Sequence, residues 1–523
     1  MYTERSRLTN PHLLIFLAII IALGHQLVFM SWTCDDAFIS YRYAENLSHG
    51  KGLIFNPGEK VEGFSNFSWV VLLTLFKSLG LPPLWMSKVL SFIFSLLIIV
   101  FVYKTARISG VGQGGALWGA FFISTASSLA YFSMSGLETV LYTFLLLLAV
   151  YLNKKFMASP SQKTLLLLYV VLLWAAITRP EGLLFLFLTI VFHTGWGLLQ
   201  KRPGANKMNL AIPLFFLALY AGFILLRYLY YGDIFPNTFY AKPLGTFVES
   251  GYHAFFVNFT SGLSSGTFLL IPLALFLVNR RFLFANIHPL LFCLAQVFFM
   301  SYTGDWMAFG RFFFPVFPVV ILLNLNFLSV VRIGFLKQKK RFLAPLTAFA
   351  VWLVFAGLNV WQTSKAVEHK ENYPYFVMNS ARLSELGKWL AANFPPDTTI
   401  ALRRQGAVPY YSQMRSLDFL GLTDRTVARM ISEEKDLAEE SRKIANHIIL
   451  KKPDLVILFS STSDALGWPI DHSPSSGKLN HLEHLIRERA VKEGYVAFQD
   501  IPLGGSEKAH LLAKTIPPNS SVK

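Results

Sequence analysis

The 523-residue chain is 54% hydrophobic and only 15% charged, with 49 phenylalanines and 11 tryptophans, whereas an average soluble domain carries about 25% charged residues. This composition excludes an ordinary soluble globular protein and points to a polytopic membrane protein. The net charge of +17 is not a nucleic-acid footprint: residues 1–361 carry 26 Lys/Arg and 11 Asp/Glu, and residues 362–523 carry 21 and 19, so the excess lies among the apolar runs, where it reports orientation and contact with anionic lipid.

A helix needs about 20 apolar residues to cross ~30 Å of hydrocarbon. On that criterion, allowing for somewhat shorter helices in a bundle, we expect eleven spans near 13–32, 84–103, 113–133, 137–153, 164–178, 182–199, 209–230, 265–279, 284–303, 312–332 and 343–361. Arg5 and Arg7 precede the first run as in a signal peptide, but no small-residue cleavage site follows, so the run is read as an anchor. "NFSWVVLLTLFKSLG" (66–80) is apolar but short and interrupted by Lys77, and reads as a helix lying at the outer interface.

Loop charge orients this arrangement. With the N-terminus in the cytoplasm, the inner loops hold 17 of the 26 basic residues and one acid, Glu4. The outer segments hold the other nine basic residues and ten acids. The positive-inside rule then leaves residues 362–523 outside. Counting 66–80 as a span would put the later basic clusters on the wrong side.

The C-terminal part changes character. "NSARLSELGKWLAANF" and "EEKDLAEESRKIANHIIL" have helical periodicity, while "TIALR", "DLVILFS" and "YVAFQDI" read as buried strands. The expected architecture is therefore a transmembrane domain over 1–361, whose outer loop and juxtamembrane helix occupy 33–83, followed by a small α/β domain over 362–523 on the outer side. The two cysteines, Cys34 and Cys293, form no disulfide framework.

The interiors of the expected spans contain no Asp, Glu, Lys or Arg, and His25 and His193 read as partners of neighbouring helices. A proton-coupled transporter would place working residues at mid-depth. The polar residues gather instead in five clusters on the outer side: "CDDAFISYRYAEN", "NPGEKVEGFSN", "TRPEG", "YYGDIFPNTFYAK" and "TGDWMAFGR". In the first, a helix would put Asp35, Ile39, Arg42 and Asn46 on one stripe, with Arg42 either neutralising the acids or facing a cavity that holds an anion.

The acidic pair after the first span, the juxtamembrane helix and the ordered set "TRPEG", "NTFYAK" and "GDWM…RFFFPVFP" resemble the GT-C superfamily of polyprenyl-phosphate-sugar-dependent glycosyltransferases. Within it, "DDAFISYRYAENLSHGKGLIFNPGEKVEGFSNFSW" is most similar to the terminal β-(1→2) arabinofuranosyltransferase type and its bacterial relatives. The similarity spans residues 33–318 and the general layout. One departure is that Arg403 and Arg404 stand where relatives tend to have Gly-Asp, which leaves the acceptor open.

The resemblance implies an inverting enzyme of the bacterial inner membrane that moves a sugar, such as arabinofuranose, from a polyprenyl-phosphate donor to a cell-envelope glycan or lipid acceptor. Its partners would be these substrates and membrane lipids, with no nucleic acid. A lipid-phosphate sugar is already activated, so the chemistry left to the protein is to deprotonate the acceptor hydroxyl and stabilise the departing phosphate. Asp35 or Asp36 is the expected base, with Asp35 preferred because it shares the stripe with Arg42. Arg179, Lys242, Arg311 and Arg42 are the expected phosphate cations. Glu62, Glu181, Asn237, Tyr240, Asp305 and Trp306 are the expected sugar or acceptor contacts. Arg179 with Glu181, and Asp305 with Arg311, are equally readable as local ion pairs. The residues single out no cofactor, and a divalent ion (Mg, Mn or Ca), with Asp36 and Asp305 as its ligands, fits a superfamily with metal-using and metal-free members. The rival readings are a lipid-carrier O-antigen ligase or polymerase, a lipid or glycan transporter, and a non-catalytic scaffold.

Overall fold

The computed structural model describes residues 10–199, 205–242, 280–303, 309–335, 343–368, 379–460, 474–504 and 507–515. They fall into two compact units that do not follow chain order. The first takes in the described residues of 1–31, 87–223 and 245–367, the second those of 32–86, 224–244 and 368–523.

The first unit is helical. Its elements are α1 (Pro11–Leu27), most of α4 (Pro83–Ile108), α5 (Gln113–Ser124), α6 (Ser127–Met134), α7 (Thr139–Ala158), α8 (Gln162–Thr178), α9 (Gly182–Leu199) and most of α10 (Ala205–Tyr231), with further helices at Arg280–Thr303, Phe317–Phe335 and Leu343–Glu368. Among the described residues three helices are long and apolar enough to cross a membrane: Pro83–Ile108, Thr139–Ala158 and Ala211–Tyr231. A fourth arises if α5 and α6, bent by 51° at their junction, make one span. Several other expected spans are shorter apolar helices, such as Pro11–Leu27 and Gln162–Thr178. The expected span 265–279 lies outside the described residues. The break between α5 and α6 falls where the sequence suggested one continuous helix. There Asn359 accepts the Ser127 backbone N–H at 2.7 Å and the Ser127 hydroxyl donates to the Asn359 carbonyl at 2.9 Å, so the neighbouring helix satisfies backbone groups that the bend frees.

The histidines are held by neighbouring helices. His25 Nε2 lies 2.7 Å from the Thr363 hydroxyl, and His193 bridges Asn153 at 2.8 Å and Tyr169 at 3.2 Å.

In the second unit, α2 (Asp35–Ser48), α3 (Phe67–Ser78) and α11 (Asn237–Ala241) accompany a five-stranded sheet. Its strands are β1 (Thr399–Leu402), β2 (Arg415–Asp418), β3 (Leu455–Ser460), β4 (Val496–Gly504) and β5 (Glu507–Ala513). The order is β2-β1-β3-β5-β4, with β1 parallel to both β2 and β3 and with β5 antiparallel to both β3 and β4. Leu455, Val456, Ile457, Leu458 and Phe459 of β3 are all buried, as expected of a central strand covered on both faces. Val427, Ile431, Ile444, Ile448, Leu482 and Ile486, on helices Arg425–Glu433, Leu437–Leu450 and Pro474–Lys492, pack with Ala401, Val456 and Leu458 into one core. At 12 residues, α3 is about 18 Å long, too short to cross the hydrocarbon layer. Its Lys77 pairs with Glu45 of α2 at 2.8 Å.

Candidate active site

Chain order places the acidic pair in the first turn of α2, after Cys34 as N-cap with extended backbone. Two carboxylates there complement the positive end of the helix dipole. Their surroundings differ. Asp35 Oδ1 accepts the backbone N–H of Ala407 at 2.7 Å, and the Gly406 backbone is packed onto the same residue. A Cβ at position 406 would stand 2.0 Å from the Asp35 carbonyl oxygen and 2.5 Å from its carboxyl carbon. Only glycine fits this approach. Burial pushes the Asp35 carboxyl up to about 6, partly offset by the Ala407 N–H and the charge of Arg404 and reinforced by Asp36. Asp36 is half-buried, and among the described residues it has no hydrogen-bond or ion-pair partner.

Arg42 lies on the expected stripe with Asp35, but the stripe faces protein. The guanidinium donates to the carbonyls of Phe55 at 2.9 Å, Pro409 at 2.6 Å and Met414 at 2.7 Å, reaches Asn56 Oδ1 at 3.5 Å, and stacks 4.5 Å over the Phe55 ring. Burial lowers its pKa to about 10. With its donors engaged in this way, Arg42 holds α2 and the 409–414 segment together and is not available to a phosphate.

The other outer-loop residues of this unit are similarly engaged. The Asn56 side chain accepts the Ser416 N–H at 3.1 Å and donates to the Ser416 carbonyl at 2.8 Å. It thereby occupies the open edge of β2 as a strand residue would. Glu62 accepts from Arg227 Nε at 2.9 Å and from the terminal nitrogen at 2.5 Å. Burial raises the Glu62 carboxyl, opposed by Arg227. Asn237 Nδ2 donates to the carbonyls of Gly421 at 2.6 Å and Leu422 at 3.1 Å. Tyr240 lies 3.7 Å beneath the Arg429 guanidinium, which also pairs with Asp233. Lys242, just past α11, is exposed. Of the residues expected as sugar contacts, Glu62 thus pairs with Arg227 of α10, while Asn237 and Tyr240 meet the 421–429 segment of the C-terminal part.

In the first unit the cations form a separate constellation. Arg179 caps the C-terminus of α8 and pairs with Glu138 at 2.5 Å and with Glu181 at closer range. Arg311 reaches the same Glu138 oxygen at 3.0 Å. Both glutamate side chains are 2% exposed and Arg179 9%. Glu138 precedes α7, Glu181 precedes α9 and Arg179 follows α8, so each charge complements the dipole of its helix end. Gly182 permits the tight turn, since a Cβ there would lie 2.4 Å from the Ala175 carbonyl oxygen. The ion-pair reading of Arg179 with Glu181 is the geometry observed. Glu138 was not singled out in the sequence, although a lone acid in "MSGLETVLY" is a signal that a buried cation partners it. Asp305 and Trp306 lie outside the described residues. Among the described residues no three His, Cys, Asp or Glu side chains converge. A divalent ion therefore has no complete ligand set among them.

The chain aligns with ArnT of Cupriavidus metallidurans at a TM-score of 0.60 and 12% identity, over 96% of this chain and 98% of that one. A second ArnT structure, bound to undecaprenyl phosphate, gives 0.59. The Archaeoglobus fulgidus oligosaccharyltransferase aligns at 0.55 and 13% identity, over 97% of this chain and 75% of that one. The chain has the GT-C fold. In sequence, 279 residues are 26% identical to the terminal β-(1→2)-arabinofuranosyltransferase of Mycobacterium tuberculosis. That match takes in 48% of this chain and 41% of the relative, less than half the relative's length. Residues 371–511 match a family described as "Domain of unknown function (DUF8728)".

Proposed function

We propose that this GT-C chain is an inverting glycosyltransferase that moves a sugar from a polyprenyl phosphate to a cell-envelope glycan or lipid on the outer face of a bacterial inner membrane. The observation that carries the reading is the unequal acidic pair: Asp35 is held by Ala407, while Asp36 sits beside it without a protein partner among the described residues. We assign the base to Asp36 on this geometry, although the shared stripe had favoured Asp35. Asp36 takes the proton of the acceptor hydroxyl, the acceptor oxygen bonds to the anomeric carbon from the face opposite the phosphate, and the phosphate leaves with the electron pair of the broken C–O bond. Lys242 and Arg311 are the cations assigned to the phosphate, Arg311 being less enclosed than Arg179 (13% against 9% exposed). Asp305 and Trp306 are retained as sugar contacts. The lipid-phosphate donor is supported by the undecaprenyl phosphate bound to ArnT and the dolichol-phosphate bound to the archaeal enzyme, and a pentose by the name of the mycobacterial relative.

Purified protein given polyprenyl-phosphate arabinofuranose and an arabinan acceptor is expected to release polyprenyl phosphate and lengthen the acceptor. Consumption of a hexose donor instead would keep the reaction and change the sugar. No consumption of any lipid-phosphate sugar, by protein shown to be folded, counts against the reaction class.

Eleven spans, a cytoplasmic N-terminus and a periplasmic 362–523 domain complete the proposal. Cysteines introduced at positions 110 and 160 should resist a membrane-impermeant maleimide in intact cells, and one at 60 should react, over a low background because Cys34 and Cys293 are buried. Labelling at 110 would mean that 67–78 crosses the membrane and that the later loops are inverted.

A further inference from the structure

The six-residue helix Ala407–Ser412 lies alongside α2 within the second unit, and α2 grips it at both ends. Asp35 and Arg42 are seven residues apart, about 10 Å along a helix, and the short helix is about 9 Å long. Asp35 accepts the N–H of its first residue. Arg42 donates to the carbonyls of Pro409 and Met414, towards its other end. Each charge therefore meets the end of the helix dipole it complements. Between them Phe38 packs on Tyr410 and Tyr411 at ring distances of 5.5 and 5.6 Å. Asp36, next in sequence to Asp35, is turned about 100° from that face.

We propose that this helix, with the Gly406 approach that seats it, is a positioning element for the acidic pair. It immobilises Asp35 and α2, and so fixes the direction in which Asp36 points. The C-terminal domain is then part of the catalytic apparatus without touching the reacting atoms, which gives a role to a region that matches a family described as a domain of unknown function. The inference rests on Asp36 as the proton acceptor in the transfer proposed above.

Asp35→Asn keeps an oxygen for the Ala407 N–H, and Asp35→Ala removes it. Initial transfer rates are to be measured in membranes of a deletion strain complemented with each variant, read as the terminal envelope residue restored and normalised to protein level. Asp35→Asn should stay within about threefold of wild type, while Asp35→Ala and Gly406→Ala should fall at least about tenfold, as expected for misplacement of a reacting group. Amide exchange in 404–412 of the purified full chain should quicken in Asp35→Ala and Gly406→Ala but not in Asp35→Asn, a change that loss of a base would not produce. If Asp35→Asn is as inactive as Asp36→Asn, Asp35 is itself the proton acceptor and the positioning role is overturned while glycosyl transfer stands. Wild-type rates in Asp35→Ala and Gly406→Ala would also overturn it. Should Asp35→Ala or Gly406→Ala fail to fold, the comparison of the two Asn variants still decides. Wild-type rates in all variants, including Asp36→Asn, would remove the proposed function itself.

Discussion

Asp36→Asn is expected to lower turnover by roughly 100-fold or more, because it removes the proposed general base while nearly preserving shape. The variant is expected to insert, fold and bind the lipid-phosphate donor normally, since Asp36 has no hydrogen bond or ion pair to lose among the described residues. The effect should appear in kcat with little change in donor KM, the pattern of an interaction made only in the transition state. A variant that instead disappears from the membrane would make Asp36 a structural residue. One with normal kcat would place the base elsewhere. The contrast with Asp35 is the informative part: Asp35 accepts the Ala407 N–H, whereas Asp36 has no such bond among the described residues.

Arg179→Gln is expected to act on stability. The substitution takes the Arg179 guanidinium away from Glu138 and Glu181, whose side chains are both 2% exposed, while Arg311 still reaches Glu138. Removing one partner of a buried ion pair costs about 3–5 kcal/mol because the remaining charge stays desolvated. That is a large fraction of the 5–15 kcal/mol typical of a domain. Membrane levels and thermal stability in detergent should both fall, with donor KM in the surviving protein near wild type. Arg311→Gln should differ. Its guanidinium is more exposed and shares Glu138 with Arg179, so the protein should persist while donor KM rises by roughly ten- to a hundredfold, as for one lost charge-assisted contact of ~1.5–3 kcal/mol. Equal loss of protein in both variants would make the whole constellation structural.

Much of the fold could be read from hydrophobic patterning. Among the described residues the apolar runs between Pro11 and Glu368 are helices, three of them long enough to cross a membrane, and "TIALR", "DLVILFS" and "YVAFQDI" hold β1, β3 and β4. The strands not anticipated, Arg415–Asp418 and Glu507–Ala513, are short or charged and lack alternation. They are strands because neighbours supply their hydrogen bonds, which no local window reveals. The site was legible in residue type more than in use. Asp35 and Arg42 do share one face of α2, but the helix that fills that face comes from position 407, in the C-terminal part of the chain. Glu62, Asn237 and Tyr240 read as ligand contacts because they are polar residues in irregular outer loops. The same features suit residues that bond to distant parts of the chain, as Glu62 does to Arg227 and Asn237 to Gly421. Periodicity places a residue on a face, and only tertiary structure says what the face meets.

The central claim is transfer of a sugar onto an envelope acceptor, and mass spectrometry of envelope glycans from a deletion strain beside its parent tests it most directly. The account predicts that one terminal sugar residue is missing in the deletion strain and returns with the wild-type gene but not with Asp36→Asn. Identical glycan and glycolipid profiles in deletion and parent strains would contradict it.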